Sequence, residues 1–247
     1  MERRFKIVLQ YDGTNYCGWQ RQRSDRSVQA EIETALRPLN RANPVTVIGA
    51  GRTDSGVHAM RQTAHFDLET ALTADTIKNA LNATLPHDIY VDECDAVGAE
   101  FHARFSAVRR TYCYRIAQKA EVFRRHYVWL VSFPFEFETL RNCAGLVPGE
   151  HDFTALCRTA TEAENKICMV FESGWEWHND LLVYTITANR FLHSMVRMLV
   201  GSMMEVARGK YGIAAFKNLL GNISTEMQVY TAPAQGLLLW NVKYLEE

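Results

Sequence analysis

The sequence predicts an α+β fold, and three observations predict it. Short alternating strands recur from one end of the chain to the other, several are joined by tight turns, and the few helical stretches lack the strict strand–helix alternation of a doubly wound sheet. The 247 residues, 47% hydrophobic and 22% charged, have ordinary globular composition and suffice for one large domain or two half-sized ones.

The elements follow in order. Phe5, Ile7 and Leu9 alternate with polar neighbours, so residues 4–11 read as a strand that ends at the Asp12-Gly13 turn. Ser27 is a helix N-cap for Val28, Ile32, Leu36 and Leu39, which share helical spacing, and Pro44 punctuates before a short strand over 45–48. Residues 63–68, 89–94 and 110–117 read as further strands, with a helix over 74–85 that Pro86 stops. A boundary near 118–136 divides an N-terminal lobe, 1–118, from a C-terminal lobe, 119–247. Beyond it, 166–177 and 181–188 flank His178-Asn179-Asp180 as a hairpin. Phe191, Met195, Met198 and Met203 lie on an apolar helix that reaches about residue 207, and 237–244 closes the chain as a strand.

No stretch approaches the roughly 18 unbroken apolar residues of a membrane span, which leads us to expect a soluble cytoplasmic protein. Six cysteines without a C-x-x-C pair or a histidine cluster argue against zinc and against a disulfide framework, so reduced core thiols are expected. The net charge of -1 hides an uneven basic set. Lysine stands at only seven of the 27 basic positions, the rest being arginine, whose planar fork suits phosphates and base edges. The arginines cluster at Arg21, Arg23 and Arg26, at Arg104, Arg109, Arg110 and Arg115, and at Arg124 and Arg125.

The stretch GAGRTDSGVHAMRQTAHF, residues 49–66, sets Asp54 among glycine-rich turns. A nucleotide loop does not explain it: the acid replaces the third glycine of the dinucleotide fingerprint, and no Gly-Lys-Ser/Thr is present to cradle phosphates. Ser55 lacks the G-x-S-x-G elbow of a hydrolase nucleophile. Asp54 and His58 as metal ligands lack a third ligand. Taken singly, an aspartate in such a turn often bonds only its own backbone.

The motif has company. G-R-T-D-S-G-V-H resembles the signature of the TruA-type tRNA pseudouridine synthases, and the likeness continues along nearly the whole chain. YDGTNYCGWQRQ (11–22), SVQ (27–29) and LNATLPHDI (81–89) are similar to family segments, as are FHARFSA (101–107), RRTYCYRI (109–116), HDFTAL (151–156), ANRFLHSMVRMLVG (188–201) and TAPAQGLLL (231–239), all in order. The chain departs from the pattern at Leu156, Gln228 and the Val229-Tyr230 pair.

The resemblance implies two similar α/β lobes, with antiparallel or mixed sheets joined across a central active-site cleft. It implies isomerisation of uridine to pseudouridine at positions 38, 39 and 40 of the tRNA anticodon stem-loop, by a homodimer and without metal or organic cofactor. Asp54 becomes the nucleophile or base, kept ionised by a neighbouring guanidinium, and Arg197 the arginine that pairs with it. Tyr112 stacks on the target uracil, Arg52 occupies the space left by the flipped nucleotide, and Leu237 walls the uracil pocket. Phe101, His102, Ala103, Arg104 and Phe105 form an RNA-contacting segment, although the two phenylalanines also suit a core. Alternative readings are a non-catalytic tRNA-binding paralogue and a synthase of shifted site specificity.

Overall fold

The protein is described by a computed structural model covering residues 2–158 and 165–245. In chain order its strands are β1 (Glu2–Tyr11), β2 (Ile48–Gly49), β3 (His58–Glu69), β4 (Ile89–Val97), β5 (Ala107–Ala117), β6 (Trp129–Leu130), β7 (Gly149–Asp152), β8 (Ile167–His178), β9 (Leu181–Ala188) and β10 (Leu237–Tyr244). The helices are α1 (Val28–Leu36), α2 (Ala74–Thr84), α3 (Phe137–Gly145), α4 (Met195–Ala207) and α5 (Ile213–Leu220). The fold is α+β. Two compact units divide it, one formed by Met1–Val108 with Leu239–Glu247, the other by Arg109–Leu238.

In the first unit β1 pairs antiparallel with both β3 and β4, β2 joins β3, and the order continues from β3 to β10. The alternation of β1 buries Phe5, Ile7, Leu9 and Tyr11. Ser27 caps α1 by accepting from the Ala30 amide, and Thr73 caps α2 by accepting from Thr76, before Pro86 prevents α2 from continuing. These helices bury Val28, Ile32 and Leu36, and Ile77 and Leu81, at about 2 kcal/mol of transfer free energy per side chain. The expected strand over 45–48 shrinks to Ile48–Gly49. Val47 carries no ladder bonds because its amide donates to Glu33 Oε1 at 3.1 Å and its carbonyl accepts from Gln29 Nε2 at 3.0 Å, so α1 side chains hold it instead.

In the second unit the order is β5-β9-β8-β7, with the two-residue β6 parallel to β5. The hairpin turns through Asn179, whose positive φ of 56° asparagine tolerates, and His178 pairs with Leu181. A bulge at Phe171 shifts the β8 register. Helices α3, α4 and α5 pack on one another, and α3 on β8, around Tyr184, Ile186, Leu199, Met203 and Phe216. The apolar helix begins at Met195, not at Phe191. Ser194 adopts a left-handed φ of 61°, so residues 191–194 form a loop despite their helical spacing. All six cysteines are free thiols, but Cys17 is exposed while the other five are buried, which corrects the expectation of six core thiols.

Candidate active site

Residues 50–57 run as a loop from β2 into β3 and are gripped on both sides of Asp54. The Ala50 amide donates to Thr63 O and the Gln62 side-chain amide to Gly51 O, both at 2.8 Å. Thr53 is buried. Its carbonyl accepts from the Trp19 amide at 3.1 Å, and its hydroxyl shares a 2.8 Å hydrogen bond with the Tyr11 phenol. Beyond the acid, Gly56 N donates to Tyr16 O at 3.3 Å, and Val57 N closes the turn on Asp54 O at 3.1 Å.

Gly18 allows this close docking. It sits at φ +91°, where a Cβ would stand 2.4 Å from Thr53 O. The segment 11–22 therefore lies with its backbone directly against the motif, which gives a physical reason for the two sequence segments to occur together. Asp54 is half-buried at the centre of this frame and Arg52 is exposed. A loop so restrained holds a carboxylate in one place without reordering when a substrate arrives.

The segment 101–105 is a turn with a buried base and an exposed apex. Ala103 is fully buried, donates to His65 Nδ1 at 3.1 Å and accepts from the Tyr244 hydroxyl at 2.8 Å. The Arg104 and Phe105 amides both donate to His102 Nδ1 at 3.2 Å. Each imidazole nitrogen thus acts as an acceptor, which requires a lone pair there. The electrostatics agree: burial, His102 and Arg4 bring His65 down to about 4 against the opposing pull of Asp67, and burial with Arg4 and Arg104 lowers His102. Phe105 is 78% exposed, with its ring stacked on His102 at 4.4 Å between centroids and the Arg104 guanidinium 5.8 Å away. Phe105 is therefore not a core residue. Phe101 is half-buried, 5.1 Å from the Tyr244 ring.

The other candidates lie in the second unit. Tyr112 is a buried β5 residue opposite Ile186, edge-on to Phe191 at 4.9 Å and 82°. Arg197, in the first turn of α4, donates from Nε to Ala232 O at 2.8 Å, while Ala232 N donates to Arg197 O at 3.1 Å. This reciprocal pair sets the orientation of the guanidinium. One turn further along α4, a Cβ on Gly201 would meet Tyr230 O at 2.0 Å, so only glycine lets residues 230–232 lie against the helix. Tyr114, its phenol pushed well up by burial, donates to Pro233 O at 2.7 Å. Leu237 is buried and opens β10 immediately after the 3-10 turn Ala234–Gly236. Segment 230–237 thus holds Arg197 at one end and presents Leu237 at the other.

A family model described as tRNA pseudouridine synthase matches residues 7–106 and 144–245. The chain belongs to the tRNA pseudouridine synthase family. It is 39% identical over 246 residues to tRNA pseudouridine synthase A of Geobacillus sp. (strain WCH70), covering 99% of both chains. To the proteins of the same name from Exiguobacterium sp. (strain ATCC BAA-1283 / AT1b) and Bacillus licheniformis it is 39% and 38% identical, over 98% of this chain in each case.

The segments that match the pseudouridine synthase family contain Arg52, Asp54, residues 101–105, Arg197 and Leu237, and Tyr112 lies between them. Among the described residues no group of three or more His, Cys, Asp or Glu side chains is placed to hold a metal ion, and no helix is long and apolar enough to cross a membrane. Sequence reasoning missed the supports of this pseudouridine synthase loop, Tyr11 and Gln62, and the ring that faces Tyr112, Phe191. A polar Gln62 inside the largely buried strand HAMRQTAHF was the one available signal.

Proposed function

We propose that this chain isomerises uridine to pseudouridine in tRNA. The N1–C1′ bond of a uridine breaks, the uracil turns, a C1′–C5 bond forms, and the proton lost from C5 is balanced by one gained at N1, so no water or co-reactant is consumed. Such chemistry needs a carboxylate held in place as nucleophile or base. The observation that carries the reading is the frame around Asp54, in which Thr53 is bonded through both carbonyl and hydroxyl and Gly51 is held by Gln62.

Asp54 is the reactive acid, and Arg197 is the cation that family likeness couples to its charge. Tyr112 stacks on the uracil, Leu237 walls its pocket, and Arg52 takes the space of the flipped nucleotide while holding phosphate. Residues 101–105 contact RNA: the exposed Phe105 ring offers a stacking face and Arg104 a phosphate partner. Family likeness also supports the anticodon stem-loop positions 38, 39 and 40 as targets, a homodimer as the working form and the cytoplasm as its place.

The test is tritium release from C5-labelled uridine in an unmodified tRNA transcript, with no added metal. Wild type releases tritium, and Asp54→Asn, which keeps volume and loses charge, abolishes release while still binding tRNA. No release by wild type, despite tight binding, would overturn the isomerase in favour of a non-catalytic reader. Light scattering of the purified protein tests the dimer, and mapping of the modified residues tests the three positions.

A further inference from the structure

We propose that Gln62 and Tyr11 are positioning residues for Asp54, acting through Gly51 and Thr53 on either side of Arg52; this rests on the reading of Asp54 as the reactive acid. Gln62 is fully buried on β3, and its Nε2 donates to Gly51 O at 2.8 Å. Its Oε1 is also buried and has no partner of full hydrogen-bond geometry among the described residues, although the Gln62 amide interacts with the Tyr11 phenol. A buried amide oxygen without a full hydrogen bond opposes folding, and an apolar side chain of the same length would remove that cost. Gly51 itself is a half-buried residue, in contrast to the fully buried Gln62. Stability alone therefore disfavours glutamine here, whereas the hold on Gly51 requires it.

Tyr11 grips the other side. Its phenol is buried, stays protonated because burial raises its pKa, and bonds Thr53 Oγ1 at 2.8 Å, with the Gln62 amide beside it. The two side chains come from paired strands, with Leu9 opposite Gln62 and Tyr11 opposite Ala59. One strand thus holds Gly51 and its neighbour holds Thr53, the residue directly before the acid. A loop released at either point could shift by a fraction of an ångström, and misplacement of a reacting group by about 1 Å can cost on the order of 100-fold in rate.

The experiment measures tritium release at varied tRNA concentration, together with thermal melts, for wild type, Asp54→Asn, Gln62→Met and Tyr11→Phe. Gln62→Met is expected to melt at or above the wild-type temperature while kcat falls at least about tenfold and KM stays within roughly twofold. Tyr11→Phe is expected to show the same split between kcat and KM. A purely structural side chain would not lower kcat in a protein that melts no earlier. Wild-type kcat in both variants, or losses that merely follow a lowered melting temperature, would overturn the proposal while the role of Asp54 stood. Absence of release from wild type would overturn the functional reading and this inference with it.

Discussion

The loop 50–57 and the turn at 101–105 both lean on β3, and they use it differently. The loop takes Thr63 and Gln62 from that strand, Tyr11 from β1 and Trp19 from the segment beyond, and those bonds fall on Ala50, Gly51 and Thr53, which lead into one half-buried carboxylate. The turn takes His65 from β3 and Tyr244 from β10 at its buried base, then leaves the Phe105 ring in solvent. One is built for exact placement of a reacting group. The other is built for contact area, where a fixed base and a tolerant apex suffice.

If the loop is the placement device, the largest effect should come from forcing it off its seat. Gly18→Ala adds a Cβ 2.4 Å from Thr53 O at a positive φ, and we expect a loss of about 2–4 kcal/mol in urea unfolding together with a fall in turnover. A variant of wild-type stability would show that the segment 11–22 is not seated on the motif. The turn should behave in the opposite way. Phe105→Ala is expected to weaken tRNA binding by about 1–3 kcal/mol in a mobility-shift titration, as loss of one stacked base does, while unfolding changes by less than roughly 0.5 kcal/mol. Equal losses in both measurements would place the ring in the core after all.

Tyr244→Phe sharpens the contrast, since it removes one hydroxyl bond to Ala103 O and should cost about 1 kcal/mol in unfolding. The smallest expected effect concerns pH. His65 titrates near 4 in the folded protein, below its ordinary value of 6.5, so the unfolded chain binds its proton more readily across that interval. Stability from this group is fully present above about 6.5 and declines as the pH falls towards 4, and His102 shifts in the same direction. Amide exchange should therefore quicken at Ala103, Arg104 and Phe105 as pH drops through this window, after correction for intrinsic rates. The Trp19 amide, which donates to a carbonyl, should stay protected.

Elements with clean periodicity were legible in the sequence. The strand at 4–11, the capped helix after Ser27 and the 166–188 hairpin each advertise one buried face or one obligatory turn residue. Where side chains or single dihedrals override periodicity, reading failed. Val45 and Val47 alternate like a strand, yet Gln29 and Glu33 capture the backbone of Val47, and the apolar spacing from Phe191 runs straight across a left-handed Ser194. The short helices α3 and α5, nine and eight residues, went unread because so few positions carry little pattern. For the site, likeness to a family pointed to Asp54, but one of its supports, Tyr11, bonds the neighbouring Thr53 across 42 residues, and nothing local in a sequence encodes such a partnership.

The Tyr244 bond has a consequence in time. It spans 141 residues back to Ala103, and the strand that carries it belongs from Leu239 onward to the first unit. Closing so long a loop is among the late and entropically demanding steps of folding. During synthesis the second unit can assemble from a contiguous stretch, whereas the turn that carries Phe105 waits for β10 to leave the ribosome before Tyr244 can lock it. A nascent chain thus keeps its stacking ring on an unfastened turn until the whole second unit has been made.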